Sequence, residues 1–174
     1  MILHVPAVLT REEVTRIRKL LASSHWADGR ITAGTQSEQT KRNYQLPEDT
    51  PAAREAQAIV LPALEKNALL FAAALPKRIF PPLFNCYTGE ANSFGDHIDN
   101  AVRTIRGTAE RMRTDLSATL FLSDPGEYDG GDLVIDTPNE GRRVKLPAGD
   151  LILYPSSTVH LSLIHISEPT RPER

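Results

Sequence analysis

The sequence predicts an α+β domain, and three observations carry the prediction. A capped amphipathic helix lies near the start, a second helical region follows Thr50-Pro51, and the second half breaks into short apolar runs separated by turns. Thr10 followed by Glu13 forms a capping box, in which each side chain satisfies a backbone N–H that the first helical turn leaves open. Behind it, Val14, Ile17, Leu20 and Leu21 share one helical face. Pro51 suits the first position of the next helix, while Pro62 is expected to kink or split it. Ala63 to Leu75 continues as helix and ends before Pro76. Between these regions, Asp28 to Leu46 is polar and aperiodic, and reads as a long loop or an irregular strand pair.

The later apolar runs are Leu83 to Tyr87, Leu116 to Leu122, Leu133 to Ile135, Val144 to Leu146 and Leu151 to Tyr154. Turn signals separate them at Asp124-Pro125-Gly126, Asp129-Gly130-Gly131, Pro138 to Gly141 and Pro147 to Asp150. Short strands at such close spacing predict an antiparallel barrel or jelly roll, with the helices packed on one side.

The chain has 174 residues, which fits one domain with a respectable core. Its formal charge of −2 gives no case for a nucleic-acid partner. The arginines between Arg103 and Arg113 lie near Glu110 and Asp115, and that stretch reads as a solvated loop. Cys86 is the single cysteine, so no internal disulfide can form, and a reducing cytoplasm is the expected compartment. Met1 to Pro6 lacks the features of a secretory signal, and no window approaches the roughly 18 apolar residues of a membrane span. No membrane partner is expected, and the oligomeric state is not legible.

His97-Ile98-Asp99 is the first motif that suggests chemistry. Residues i and i+2 of a strand point to the same face, so both side chains can converge on one ion. His160, arriving from a distant strand, would complete two histidines and one carboxylate. Such a facial set leaves coordination positions open for O2 and an organic co-substrate, the arrangement of non-haem iron(II) oxygenases. A His-x-Asp pair alone is a common accident, and the weight rests on the surrounding pattern.

That pattern resembles a known family. Tyr87-Thr88-Gly89, Phe94 and His97-Ile98-Asp99-Asn100 resemble the iron-binding segment of the prolyl 4-hydroxylase group of 2-oxoglutarate dioxygenases. Arg113 to Asp124 (RTDLSATLFLSD), Tyr128 to Leu133 and Leu146 to His160 (LPAGDLILYPSSTVH) continue the likeness. Trp26 to Arg30 and Leu69 to Pro76 (LLFAAALP) extend it towards the start. Together they resemble the bacterial PKHD-type hydroxylases, small members of that group associated with iron uptake.

The resemblance implies a double-stranded β-helix, a jelly roll, over 78–161 behind an N-terminal helical part over 1–77. It implies His97, Asp99 and His160 as iron(II) ligands, 2-oxoglutarate as co-substrate, O2 as reactant and L-ascorbate as the agent that restores iron(II). It also implies a role for Tyr87, ten residues before His97, close to the co-substrate. Asp129-Gly130-Gly131-Asp132 matches the family's Gly-Gly-acid turn and reads as structural; Asn100 is a candidate donor to Asp99. The implied reaction converts 2-oxoglutarate to succinate and CO2 while a C–H bond of a small-molecule or peptide substrate is hydroxylated.

After His160 the sequence departs from the family. Members continue with two more strands that carry, roughly ten residues on, an arginine suited to grip the distal carboxylate of 2-oxoglutarate bidentately. Here residues 162–174 resemble translated adapter sequence and are expected to be a non-native tail on a jelly roll that lacks its last strands. Arg171 lies between Pro169 and Pro172 and is not read as that anchor, nor is His165 read as a ligand. Missing strands would leave an open sheet edge and an uncovered core, so an inactive or poorly folded fragment is one alternative; a noncatalytic metal- or ligand-binding jelly roll and a zinc hydrolase using the same three ligands also stay open.

Overall fold

Thr10 does cap the first helix, α1 (Arg11–Ala22): its hydroxyl accepts from the Glu13 N–H at 3.2 Å, and the Glu13 carboxylate accepts from the Thr10 N–H at 2.8 Å. Val14 and Ile17 are buried, with Leu20 and Leu21 half-buried beside them. This is a computed structural model of the chain, and it describes residues 1–32, 40–89, 91–105, 107–136 and 141–163.

Thr50 caps α2 (Pro51–Lys66), as Thr50-Pro51 predicts. The helix runs through Pro62 unbroken. The break comes instead at Asn67, which leaves the helical conformation and turns its side-chain oxygen onto the Leu70 N–H to cap α3 (Ala68–Ala74). A cap gives the chain a place to restart, whereas Pro62 removes only one donor from a helix already packed through Ala53, Ala56, Val60 and Leu64. Leu75, in the left-handed region at φ 42°, ends α3 before Pro76.

Two sheets form the jelly roll. The smaller has the order β1-β12-β9, from β1 (Leu3–Val5), β12 (Leu151–Pro155) and β9 (Leu116–Leu120). The larger has the order β11-β10-β13-β6-β3. Its strands are β11 (Arg142–Val144), β10 (Asp132–Ile135), β13 (His160–Leu163), β6 (Ser93–His97) and β3 (Lys41–Arg42). All of these neighbours pair antiparallel. A third small sheet joins β2 (Ala27–Asp28), β4 (Tyr44–Gln45) and β5 (Asn85–Cys86).

β12 shows how the layers meet. Leu151 and Leu153 face the helices and join a core with Ile17, Leu46, Ala56 and Val60. Ile152 and Tyr154 face the other way, into a second core with Leu133, Ile135 and Val144. Burial on both faces explains why this strand reads as one continuous apolar run instead of alternating.

Of the two alternatives for Asp28 to Leu46, the irregular strands hold where the chain is described: residues 33–39 lie outside the described residues, β3 extends the larger sheet and β4 pairs with β2 and β5. These strands are two residues long and their inward side chains are polar, so no apolar period marks them. The stretch from Arg103 to Arg113, read as a loop, carries a two-stranded ladder of β7 (Val102–Thr104) and β8 (Arg111–Arg113). Met112 is its one buried side chain among the described residues, too little to produce an alternating pattern. The Gly130-Gly131 turn behaves as structure, since both residues hold positive φ (63° and 71°) just before β10.

Candidate metal centre

His97 closes β6 and His160 opens β13, and antiparallel pairing sets the two residues directly opposite each other. Asp99 lies two residues past the end of β6, so strand geometry alone does not aim it. Its N–H donates to the Ser156 carbonyl at 3.1 Å, in the turn between β12 and β13. Ser156 is itself tied back, its hydroxyl donating to the Thr114 carbonyl at 2.6 Å. That turn therefore fixes the carboxylate relative to both histidines.

The geometry matches the set expected from sequence. His97, Asp99 and His160 form a group whose candidate donor atoms lie within 4.8 Å of one another, the one such cluster among the described residues. Asp99 Oδ1 is 4.0 Å from His97 Nε2, and Asp99 Oδ2 is 3.7 Å from His160 Nε2. A metal bond of about 2.1 Å from each atom fits between them.

The imidazoles are also held in the right tautomer. His97 Nδ1 lies 2.7 Å from the Gly95 carbonyl, and His160 Nδ1 lies 3.0 Å from the Thr158 carbonyl. A carbonyl oxygen only accepts, so each Nδ1 must carry the proton, and each Nε2 presents a lone pair towards Asp99. Burial holds the His97 imidazole below its usual basicity, which favours the neutral form that a metal needs. The two histidine side chains are almost enclosed, at 6% and 5% exposure, whereas that of Asp99 is 32% exposed. The open side of the set is therefore at the carboxylate.

Several supporting groups were not legible as such in the sequence. The Ser117 hydroxyl donates to Asp99 Oδ2 at 2.5 Å, so the donor on the carboxylate comes from β9. The backbone carbonyl of Asn100, the sequence candidate for that role, accepts from the Thr114 hydroxyl. Polar Ser117 and Thr119 alternating within Leu116 to Leu120 were the available signal. Phe94 stacks on the His97 ring at a centroid distance of 3.4 Å and 10° between planes. Tyr154 meets the His160 ring edge-on at 4.9 Å and approaches the Thr119 hydroxyl at 3.3 Å. Burial, and then the Asp99 charge, hold the Tyr154 hydroxyl protonated far above its ordinary range.

Tyr87 follows β5, and burial raises its hydroxyl above the ordinary value, with the Asn43 and Ser162 side chains close enough to oppose the shift. Ser162 lies two residues beyond His160 on β13. Arg171 and His165 lie outside the described residues. Among the described residues no helix is long and apolar enough to cross a membrane.

Two imidazole nitrogens and one carboxylate, gathered at one end of a jelly roll and open on one side, suit a divalent metal that must keep positions for exchangeable ligands. No family model matches the chain. A PKHD-type hydroxylase of Pseudomonas aeruginosa (strain LESB58) is 58% identical over 160 residues, covering 92% of this chain and 70% of that protein. A PKHD-type hydroxylase of Burkholderia thailandensis is 52% identical over 174 residues, covering all of this chain and 74% of its own length. Among solved structures, a Pseudomonas putida prolyl-4-hydroxylase aligns with a TM-score of 0.64 at 18% identity, over 94% of this chain and 85% of that one. A Trichoplax adhaerens prolyl hydroxylase, solved with a hypoxia-inducible-factor peptide fragment, aligns with a TM-score of 0.65 at 15% identity, over 94% and 77%. At those identities the structures establish the shared jelly-roll fold, while the curated relatives establish the family. The chain belongs to the PKHD-type hydroxylases, a family of 2-oxoglutarate- and iron(II)-dependent dioxygenases.

Proposed function

We propose that His97, Asp99 and His160 hold iron(II), and that the chain hydroxylates an aliphatic C–H bond of a small-molecule or peptide substrate at the expense of 2-oxoglutarate and O2. The observation that carries this reading is the convergence of two Nε2 lone pairs, each set by a carbonyl on Nδ1, upon the Asp99 carboxylate. Iron(II) held by these three residues would supply the redox chemistry that couples decarboxylation of 2-oxoglutarate to hydroxylation, with L-ascorbate keeping it reduced.

The protein's own contribution is positioning and shielding. Ser117 holds one carboxylate oxygen of Asp99, which leaves the other to turn towards the metal. Phe94 and Tyr154 wall the imidazoles with apolar ring surface and restrict water on the β6 and β13 side. Tyr154 stays protonated beside Asp99, so it adds no competing anion to the site. Tyr87 takes the part of approaching the co-substrate in this reading, which its burial and its neighbours Asn43 and Ser162 support. The sequence resemblance alone suggests a substrate made or modified during iron acquisition, and we propose that it is handled in the cytoplasm.

The test is succinate formation from 2-oxoglutarate with iron(II), O2 and ascorbate, compared between the wild-type chain and His160→Ala. Succinate from the wild type alone supports the reading. Stoichiometric iron binding without any turnover would favour the noncatalytic binding module instead.

A further inference from the structure

Beside the metal ligands runs a second row of buried polar groups. From Lys41 to Gln45 the side chains alternate, with Arg42 and Tyr44 outward and Lys41, Asn43 and Gln45 inward at 6%, 2% and 3% exposure. Three consecutive inward polar positions, one of them an ammonium, are an unusual content for a strand interior.

Their location gives them a purpose. Lys41 pairs with Phe94 across β3 and β6, and its ammonium sits 5.3 Å from the Phe94 ring centroid. That ring lies flat against His97, so a single aromatic layer separates the ammonium from a metal-ligand imidazole. Lys41 Nζ donates to Gln45 Oε1 at 3.0 Å, which orients it along the row. Asn43 lies between them, its side chain close enough to the Tyr87 hydroxyl to oppose that group's upward shift, while its buried amide keeps hydrogen-bonding capacity for a polar ligand.

The backbone is shaped to admit the row. The Gly29 N–H donates to the Asn43 carbonyl at 2.9 Å, and a Cβ at Gly29 would fall 1.8 Å from Asn43 Oδ1. Only glycine leaves Asn43 room to stand there. Charge points the same way: Lys41 feels Arg103 as well as Asp99 and Asp28, and a divalent ion on the metal ligands would add further positive charge. Burial and the Arg103 charge already lower the lysine to about 8, and an anion entering beside it would restore its proton affinity.

We propose that Lys41, oriented by Gln45 and flanked by Asn43, recognises an organic carboxylate bound next to the metal. The inference rests on the metal-site reading above. The carboxylate belongs either to the 2-oxoacid co-substrate, at the end away from its keto group, or to the molecule being hydroxylated. An ammonium is a point charge with rotatable donors, so it suits a carboxylate approaching from several directions.

The experiment uses Ni(II) in place of iron, so that nothing turns over, and calorimetric titration of the wild-type, Lys41→Met and Lys41→Arg chains. Ni(II) is titrated first. If the wild-type chain fails to bind it, the metal-site reading is wrong and the inference falls with it. With Ni(II) bound, 2-oxoglutarate and 2-oxopentanoate, which lacks the second carboxylate, are titrated separately. Succinate is then titrated into chain already saturated with 2-oxoglutarate. If Lys41 holds the co-substrate, Lys41→Met weakens 2-oxoglutarate at least tenfold, leaves 2-oxopentanoate and Ni(II) unchanged, and Lys41→Arg recovers most of the loss. If it holds the substrate, 2-oxoglutarate is unaffected and succinate binding disappears in Lys41→Met. Unchanged binding of both carboxylates overturns the proposal. Should Lys41→Met fail to fold, amine-reactive labelling of the wild-type chain with peptide mapping decides: slower modification of Lys41 in the presence of carboxylate is expected, and equal rates overturn it.

Discussion

His97 and His160 face each other across the β6–β13 pair with ring centroids 4.1 Å apart and planes inclined at 55°. A sheet register, not a local motif, creates this contact. It makes the metal centre dependent on the pairing of two strands that are more than 60 residues apart in sequence, with Asp99 brought to them by the Ser156 carbonyl.

Because both imidazoles and the carboxylate are already gathered, metal should bind the folded chain far better than the unfolded one. A ligand at a hundred times its dissociation constant stabilises the fold by about 2.7 kcal/mol. Melting followed by circular dichroism, with and without Ni(II), is expected to show a rise that a chelator reverses. The rise should vanish in His160→Ala, and its persistence there would move the site elsewhere.

Ser117 is expected to tune the candidate centre through Asp99. Ser117→Ala removes the hydroxyl that donates to Asp99 Oδ2 at 2.5 Å. Metal affinity should fall by about 10- to 100-fold while the melting temperature of the metal-free chain barely changes. Equilibrium dialysis with Ni(II) measures this. An unchanged affinity would show that Asp99 is oriented by its backbone alone.

Gly29 should tolerate no side chain. Gly29→Ala would press a methyl into Asn43 Oδ1, and relief requires moving a buried amide. A loss of about 1–3 kcal/mol in urea denaturation is expected, as for other overpacked sites. Ile152→Ala, in the second core at 0% exposure, should cost about 2–5 kcal/mol and serves as a comparison.

Acid should weaken the junction between α1 and the turn that follows β9. Arg11 pairs with Asp124 at 2.7 Å and Arg18 with Glu127 at 2.8 Å. Hydrogen bonds from these arginines hold both carboxyls below their ordinary values of 3.8 and 4.5. In that window the folded chain binds fewer protons than the unfolded one. The stability is therefore complete above the ordinary values and is lost as pH falls through the lower folded ones. Melting temperature measured between about pH 5 and 3 should fall less steeply in the Arg11→Ala, Arg18→Ala double variant. Both pairs are well exposed, so the effect should also shrink in high salt.

Much of this protein was determined by its sequence alone. The capping box of Thr10 and Glu13, the helix start at Thr50-Pro51 and the apolar run of β12 are local patterns, written in side chains within a few residues of one another. The clustering of His97, Asp99 and His160 was also foreshadowed, because a matching series of segments surrounds them. Tertiary structure alone decided the rest. β3 and β4 carry too few residues and too polar a face to announce themselves, and exist because β6, β2 and β5 satisfy their backbones. Ser117 reaches Asp99 from a different sheet, and Lys41 reaches the Phe94 that covers His97 through the β3–β6 pairing. Local sequence encodes propensity and caps; which polar groups share one interior is set by register, and register is a property of the folded sheet.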